Sequence, residues 1–257
     1  MEKIINLGIP HVGELIFESI DTDGLVEYCK VSQTWKVLAE NVLFKRWRGK
    51  IIEACESGKA EIVKILLERL DNESIEWNAK DEDGYTGYMV ACGDGHENVV
   101  KLFLEHYLDK NIDLNAKDET GCTGFMAACN EGHTNIVKLL LDHSDSNLEI
   151  NGMTALRTAC KEGHKDIVKL LLEHSNIELN ERDNNEETAI MMACMYGHKD
   201  VVKLLLDHLD KIEIDKPHDD DGTTPFMMAC FQGDKDVVQL LLNHSDKSEI
   251  NATNECG

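Results

Sequence analysis

Four Cys-x3-His pairs have the residue types and spacing that could do chemistry: Cys92 with His96, Cys129 with His133, Cys160 with His164, and Cys194 with His198. Thiolate and imidazole at short spacing suit zinc, and a Cys beside a His can act as nucleophile and base. A zinc site, however, needs four ligands converging on one point, and a nucleophile needs one site rather than several identical ones. A buried free Cys often serves as a small hydrophobe. The pairs are therefore read as structural, with no metal, no cofactor and no catalytic residue. No phosphate-binding glycine loop or paired-carboxylate motif stands out elsewhere, so neither an enzyme nor a small-molecule substrate is implied. Five further histidines, His106, His143, His174, His208 and His244, fall at the ends of apolar helical segments. A cation there would favour the helix dipole.

The elements that must position these residues recur. Cys55, Cys92, Cys129, Cys160, Cys194 and Cys230 mark one place in six copies, at intervals of 37, 37, 31, 34 and 36 residues. Such a period means a stacked array of helical units. In the copy from Gly121, Thr123 is an N-cap type and Phe125 to Cys129 is a compact apolar run. Gly132 then ends the helix at a left-handed position. A second helix is predicted from about Thr134 to His143. Its Ile136, Val137, Leu139, Leu140 and Leu141 cover more than one face, as a helix sandwiched between neighbours requires. In the last copy Thr224-Pro225 is a cap-plus-proline start. Alternating stretches follow the second helices, as in Ile112-Asp-Leu114-Asn115 and Leu148-Glu-Ile150-Asn151. They predict short hairpins between helix pairs.

Thr-Pro-Phe-Met, Ala-Cys, Gly-His and Val-Val-Lys-Leu-Leu-Leu together resemble the ankyrin repeat, from about Ile51 to the end. In that family a small apolar residue normally holds the Cys slot, and His follows the turn glycine. The chain departs from the pattern in several places. The usual Pro-Leu-His is Gly87-Tyr-Met, Gly124-Phe-Met, Ala155-Leu-Arg and Ala189-Ile-Met. Tyr107, Ser144, Ser175, Leu209 or Ser245 replaces the usual Gly after the second helix, so those helices are expected to run on or turn differently. Glu186 stands where a hairpin glycine belongs. Asn151-Gly152-Met153-Thr154 lacks five residues that Asn115 to Thr123 contains, which predicts a gap in the row of hairpin fingers.

The net charge of −23 disfavours nucleic acid and anionic membranes and suits a basic protein client. No apolar run approaches the roughly 18 residues of a membrane helix. The start, MEKIINLG, has no secretory h-region. Nine cysteines, six of them at one repeat position, are not a disulfide framework. A reducing compartment, cytoplasm and/or nucleus, is expected.

The first fifty residues do not repeat. They predict three short helices, with Leu15, Ile16, Phe17 and Ile20 in the first and Leu25, Val26, Cys29 and Val31 in the second. Trp35, Leu38, Leu43, Phe44 and Trp47 lie on the apolar side of the third. Ile9-Pro10, Ile16-Phe17, Leu25, Val31-Ser32-Gln-Thr-Trp35, Leu38-Ala39 and Leu43-Phe44 together resemble an F-box over about Ile9 to Trp47. Ile9 stands for Leu, Gly24 for Asp and Ser32 for Cys in that pattern. The resemblance implies docking on a Skp-type adaptor of a cullin–RING ubiquitin ligase. The docking residues would be Ile9, Pro10, Leu15, Ile16, Phe17, Ile20, Leu25, Val31, Trp35, Leu38, Leu43 and Phe44. The alternative is a cap that covers the first repeat, which every solenoid needs.

Acidic clusters fall at hairpin tips: Asp81-Glu-Asp83, Asp118-Glu119, Glu186-Glu187 and Asp219-Asp-Asp221. Turn chemistry favours Asp, and a basic client would favour the same row. The ankyrin resemblance implies contacts from the tips and the ends of the first helices. Carried over, these are Glu82, Asp83, Tyr85, Asp94, Glu119, Asn130, Glu131, Met195, Tyr196, Asp220, Asp221, Phe231 and Gln232. The expected architecture is all-α, with an F-box-like module over 1–50 and an ankyrin-repeat solenoid of about six repeats over 51–257. With only Arg48-Gly49-Lys50 between Trp47 and Ile51, the two are expected to be joined rigidly. The ending Ile250 to Gly257 aligns with Leu114 to Gly121 and stops at the turn glycine, so the array reads as truncated.

Overall fold

A computed structural model of the protein describes residues 18–30, 33–68, 75–143, 148–150, 152–174, 187–208 and 222–244, without the side chains of Thr34, Trp35 and Met153. Two compact units, residues 1–124 and 125–257, divide the chain. Regular structure among the described residues is helical.

Among the described residues, the first unit's helices start with α1 (Thr22–Cys29) and α2 (Gln33–Trp47), which pack on each other. Asp21 caps α1 by accepting the Gly24 N–H at 2.8 Å. Arg46 ties the pair together by donating from Nη2 to the Ile20 carbonyl at 3.0 Å, and Trp47 Nε1 donates to Thr22 Oγ1 at 3.3 Å. The first repeat follows at once as α3 (Ile51–Glu56) and α4 (Ala60–Glu68). No side chain caps α3, and its entry is fixed by the Lys50 N–H donating to the Trp47 carbonyl at 2.9 Å. α2 packs on α4, and Lys50 and Lys59 each lie 5.8 Å from the Trp47 ring. Leu25, Val42, Leu43, Phe44 and Trp47 are buried, so the short helices draw their core from the first repeat.

The next pair is α5 (Gly87–Gly93) and α6 (Glu97–Lys110). α3 packs on α5 and α4 on α6, so first helices stack on first helices and second on second. Thr86 caps α5, accepting the Met89 N–H at 3.3 Å. α6 runs on past the usual stop and closes with Asn111 at φ 52°, the left-handed stop that Tyr107 does not provide. Fully buried Tyr88 and Phe103 meet edge to face at 5.9 Å.

Among the described residues, the alternating stretches 112–115 and 148–150 are not assigned to strands. Ile112, Leu114 and Leu148 are buried as plugs beneath the connections. Among the described residues, pairing consists of the isolated antiparallel bridges Lys80 with Thr86 and Lys117 with Thr123, which close two fingers. These two fingers are shaped by their first aspartates, Asp81 and Asp118, because a short acceptor at a turn satisfies the amides that a strand would otherwise pair.

The second unit, taken by itself, holds α7 (Gly124–Asn130) from Phe125 onward, then α8 (Thr134–Asp142), α9 (Gly152–Glu162), α10 (Lys165–Glu173), α11 (Ala189–Met195), α12 (Lys199–Leu206), α13 (Pro225–Gln232) and α14 (Lys235–His244). Within the unit α9 packs on α11 and α11 on α13, with α8, α10, α12 and α14 layered beside them. Thr188 and Thr224 cap α11 and α13, and Pro225 sits in the first turn. Gly132 has φ +82°, as its place after α7 predicts. The shortened connection before α9 forms no finger at Gly152 to Thr154, as its missing residues predict. α9 starts early, at Gly152, and has 11 residues against 7 in α7 and α11. With too few residues for a finger, the chain winds them into about one extra helical turn.

Candidate functional site

The Cys/His pairs separate in space because each partner serves a different neighbour. The thiols of Cys55, Cys92, Cys129, Cys160 and Cys194 are buried. Burial pushes the Cys92 and Cys194 pKa up to about 12, and raises Cys55 and Cys160 further, as a desolvated thiolate demands. The histidines point the other way. His96 Nε2 donates to the Glu56 carbonyl at 2.8 Å, His164 Nε2 to Asn130 at 2.8 Å, and His198 Nε2 to Lys161 at 2.7 Å. Each ring thus satisfies a carbonyl at the end of the preceding first helix. It lies against the glycine of that turn, where a Cβ on Gly58, Gly132 or Gly163 would come within 2.5–2.7 Å of the ring. Among the described residues no three Asp, Glu, Cys or His converge as a ligand set.

Three of the five histidines at second-helix ends act as caps. His143, His208 and His244 donate from Nδ1 to the carbonyl four residues back at 2.8, 2.9 and 2.8 Å. That bond satisfies an orphan carbonyl whether or not the ring is charged.

The fingertips divide their acids between two jobs. Asp81 Oδ1 accepts the Asp83 and Tyr85 amides at 3.0 and 2.8 Å. Asp118 Oδ1 accepts the Thr120 amide, the Thr120 hydroxyl and the Cys122 amide, each at 2.8 Å. Burial alone would raise the Asp118 pKa, but these bonds and the Tyr85 hydroxyl outweigh it and hold the carboxyl below its ordinary range. The Asp118 charge in turn pushes the Tyr85 phenol up. Glu82, Asp83 and Glu119 are exposed, and the two tips lie together: a Cβ on Gly84 would be 3.2 Å from the Glu119 nitrogen. Lys80 Nζ joins the fingers by donating to the Lys117 carbonyl at 2.7 Å.

Other sequence-derived contact residues end the first helices. Asp94 is exposed beyond α5, and Asn130 and Glu131 are exposed beyond α7, with Asn130 Nδ2 donating to Glu131 Oε1 at 2.7 Å. In the second unit Met195 is half-buried, Tyr196 is 47% exposed, Phe231 is 95% exposed and Gln232 is exposed. Asp220 and Asp221 lie outside the described residues.

A pocket of about 220 Å³ opens between α9 and α11. Arg157, Thr158 and Lys161 line one wall, Met192 and Met195 the other, with Glu187 and Tyr196 at the ends. Lys161 Nζ lies 5.7 Å from the centre of the Tyr196 ring and 3.2 Å from Glu162 Oε1 at the rim. Of this set, Met195 and Tyr196 are among the contact residues read from the sequence. Arg157 was legible there only as a departure from Pro-Leu-His.

Of the adaptor-docking residues, Leu25, Leu43 and Phe44 are buried in the chain's own core, and Ile20 and Leu38 are half-buried. Ile9, Pro10, Leu15, Ile16, Phe17, Val31 and the Trp35 side chain lie outside the described set. Val37, which the sequence did not single out, is a large apolar side chain on α2 with 50% of its surface in solvent. Among the described residues, no helix is long and apolar enough to cross a membrane.

Solved structures share this fold. The human ASB11 ankyrin repeat domain is similar with a TM-score of 0.65 at 23% identity, over 81% of this chain and 88% of that one. An ankyrin repeat domain from Acinetobacter baumannii AYE has a TM-score of 0.60 at 25% identity, over 76% and 96%. A chain in the complex of the predatory endopeptidase Bd0816 from Bdellovibrio bacteriovorus with immunity protein Bd3460 has 0.63 at 21%, over 76% and 97%. No curated protein matches the chain. The family model for ankyrin repeats (3 copies) matches residues 50–118, 107–183 and 175–254. With its helix pairs, capping threonines and inter-repeat histidines accounted for, the chain belongs to the ankyrin-repeat family.

Proposed function

We propose that this protein is a substrate receptor of a cullin–RING ubiquitin ligase. Residues 1–50 form an F-box-like module that docks a Skp-type adaptor, and the ankyrin array of 51–257 holds a client protein. The receptor itself performs no chemistry; it places the client beside a ubiquitin-charged enzyme. One observation carries the reading. The stretch with the Trp35, Leu38, Leu43 and Phe44 matches is a single helix packed on α1 and α4, and it still presents Val37 to solvent. Such a helix is firmly joined to the array, as a receptor that fixes the client's distance from the enzyme requires. The exposed Glu82, Asp83 and Glu119 suit a basic region of the client. The cytoplasm or nucleus suits its free thiols.

A second reading, a binding scaffold whose N-terminal helices only cap the first repeat, is favoured by the burial of Leu25, Leu43 and Phe44. Capture of a Skp-type adaptor from solution separates the two. The whole chain should retain the adaptor, and Val37→Asp should reduce capture at least about tenfold, since a charge cannot be desolvated in an apolar contact. Circular dichroism should stay unchanged, because Val37 is outside the core. Absence of capture by the unmodified chain would leave the cap reading. Undiminished capture by both Val37→Asp and a double alanine change at Ile16 and Phe17 would remove the docking assignment.

A further inference from the structure

One position of the repeat ties each copy to the one before it. It is the residue after the turn glycine, held in turn by Lys59, His96, His133, His164, His198 and Asp234. His96, His164 and His198 each donate from Nε2, at 2.7–2.8 Å, to a carbonyl at the end of the preceding first helix: Glu56, Asn130 and Lys161. Lys59 also reaches back, to Asp23 Oδ1 at 3.6 Å and the Trp47 ring at 5.8 Å. Asp234 is turned to another task. Its Oδ1 accepts the Asp236 and Val237 amides at 2.9 and 3.2 Å, and so caps α14 within its own repeat.

The joint behind Asp234 lacks the clip that its sisters have. The carbonyl that matches Glu56, Asn130 and Lys161 is Met195, and among the described residues no group donates to it. An ionised carboxylate cannot serve, because it only accepts. The packing is looser as well. A Cβ on Gly58, Gly132 or Gly163 would meet a histidine ring at 2.5–2.7 Å, whereas on Gly197 it would meet only Asp234 Oδ2, at 3.3 Å. Lys199 crosses the joint to Asp236 at 2.7 Å and feels the Asp234 charge, but both partners of the pair are more than half exposed, and an exposed ion pair holds little. The apolar contact of α13 on α11 and of α14 on α12 carries the rest. Such contact is non-directional, so it resists separation better than it resists rocking. The orphan carbonyl at the end of α11 takes water into the joint.

We infer that α13 and α14 form a hinged pair. The pair undocks from α11 and α12 as one piece, pivoting at Gly197 and Asp234, while the histidine-clipped joints behind it stay closed. Helices of 8 and 10 residues do not hold themselves in water, so undocking exposes their amides. The hinge stands on the geometry of the joint. What it serves rests on the client-binding reading above: Phe231 and Gln232, two of the expected contacts, ride on α13. The array meets a client there with an arm that closes on it.

Sister repeats provide the test, because Asp234-Lys-Asp-Val-Val and His198-Lys-Asp-Val-Val differ in one residue. Asp234→His and His198→Asp each install a helix start that the array already uses, so both should fold by circular dichroism. Native-state amide hydrogen exchange is followed by mass spectrometry on the whole chain, without client. In the unmodified chain α13 and α14 should exchange together, at least about tenfold faster than α11 and α12. Asp234→His should slow α13 and α14 several-fold, although it gives up the cap. His198→Asp should speed α11 and α12 at least about tenfold, although it gains a cap, and leave α9 and α10 unchanged. Cap and joint thus act with opposite signs. Reversed signs, exchange unmoved in both variants, or no step between α12 and α13 in the unmodified chain would overturn the inference. If one variant fails to fold, the other carries the test. Adaptor capture reports on the receptor assignment alone, so failure of that reading and failure of the hinge are told apart.

Discussion

Adding one methyl group at Gly163 probes how neighbouring repeats are joined. Gly163 has φ +77°, and a Cβ there would lie 2.5 Å from His198 Nδ1 and 2.7 Å from its Cε1. Placing alanine in left-handed backbone costs about 1–2 kcal/mol. The imidazole must also move, and it is held by the 2.7 Å bond from Nε2 to the Lys161 carbonyl. Losing that bond removes roughly 0.5–1.5 kcal/mol. Gly163→Ala should therefore destabilise the array by about 2–3 kcal/mol. Gly233 is the internal control: it follows α13 at the same repeat position, with φ +77° and nothing within 4 Å of its Cβ. Gly233→Ala should cost only the backbone share, about 1–2 kcal/mol. In the double variant Gly163→Ala/His198→Ala the clash has no partner. The pair should then cost about 1 kcal/mol less than the sum of the singles. Urea unfolding followed by circular dichroism gives the totals. Amide hydrogen exchange over α9 to α12 gives the place, since arrays open locally. If Gly163→Ala is no worse than Gly233→Ala, or the cycle is additive, the histidine joint is not what holds these repeats.

Two further outcomes follow from the fingertip and the thiols. The folded Asp118 pKa is depressed, so its stabilisation is present above the unfolded value, about 3.9, and is lost as pH falls through the folded value. The difference in urea midpoint between the unmodified chain and Asp118→Ala should hold from pH 7 to 5 and narrow below about pH 4; a constant difference down to pH 2 would contradict it. With an aromatic disulfide reagent at pH 8, exposed Cys230 should react first and half-buried Cys29 and Cys122 more slowly. Cys55, Cys92, Cys160 and Cys194 should react only on unfolding, because burial withholds the thiolate. Fast labelling of any of those four in the native protein would show that the stack breathes far more than its packing implies.

Much of the fold was legible because it is local. A threonine whose hydroxyl meets an amide three residues on, a glycine at positive φ, and an apolar run of helical period each act within one turn of chain. Thr224 and Gly132 accordingly sit where the sequence places them, and Thr86 and Thr188 cap the sister helices in the same way. The run-on of α6 was legible too, since Tyr107 cannot stop a helix as glycine does. The alternating stretches predicted short hairpins, and the two described fingers are closed by single antiparallel bridges, Lys80 with Thr86 and Lys117 with Thr123. Alternation itself states only that one side is buried, as Ile112, Leu114 and Leu148 are. The shortened finger was read as nearly absent, and the residues that remain form about one more turn of α9 in its place.

The candidate site was legible only in fragments. Met195 and Tyr196 were found as residues ending a first helix, and the fingertip acids as a charge row. Separating Asp81 and Asp118, which build the fingers, from Glu82, Asp83 and Glu119, which face outward, required the hydrogen bonds. Arg157 carried a signal in the sequence, an arginine where four sister copies hold methionine.

By itself the sequence determined the repeat, its period, its caps and its charge, since each is a property of a residue and its near neighbours. Only the tertiary structure decided that Cys and His of one pair serve different repeats. Only it set Arg157 and Lys161 opposite Met192 and Met195, some 34 residues further along the period, to form a pocket. The physical reason is that a pocket is the space between two stacked helices. Its walls are brought together by burial of the apolar faces behind them, and no window of sequence contains both.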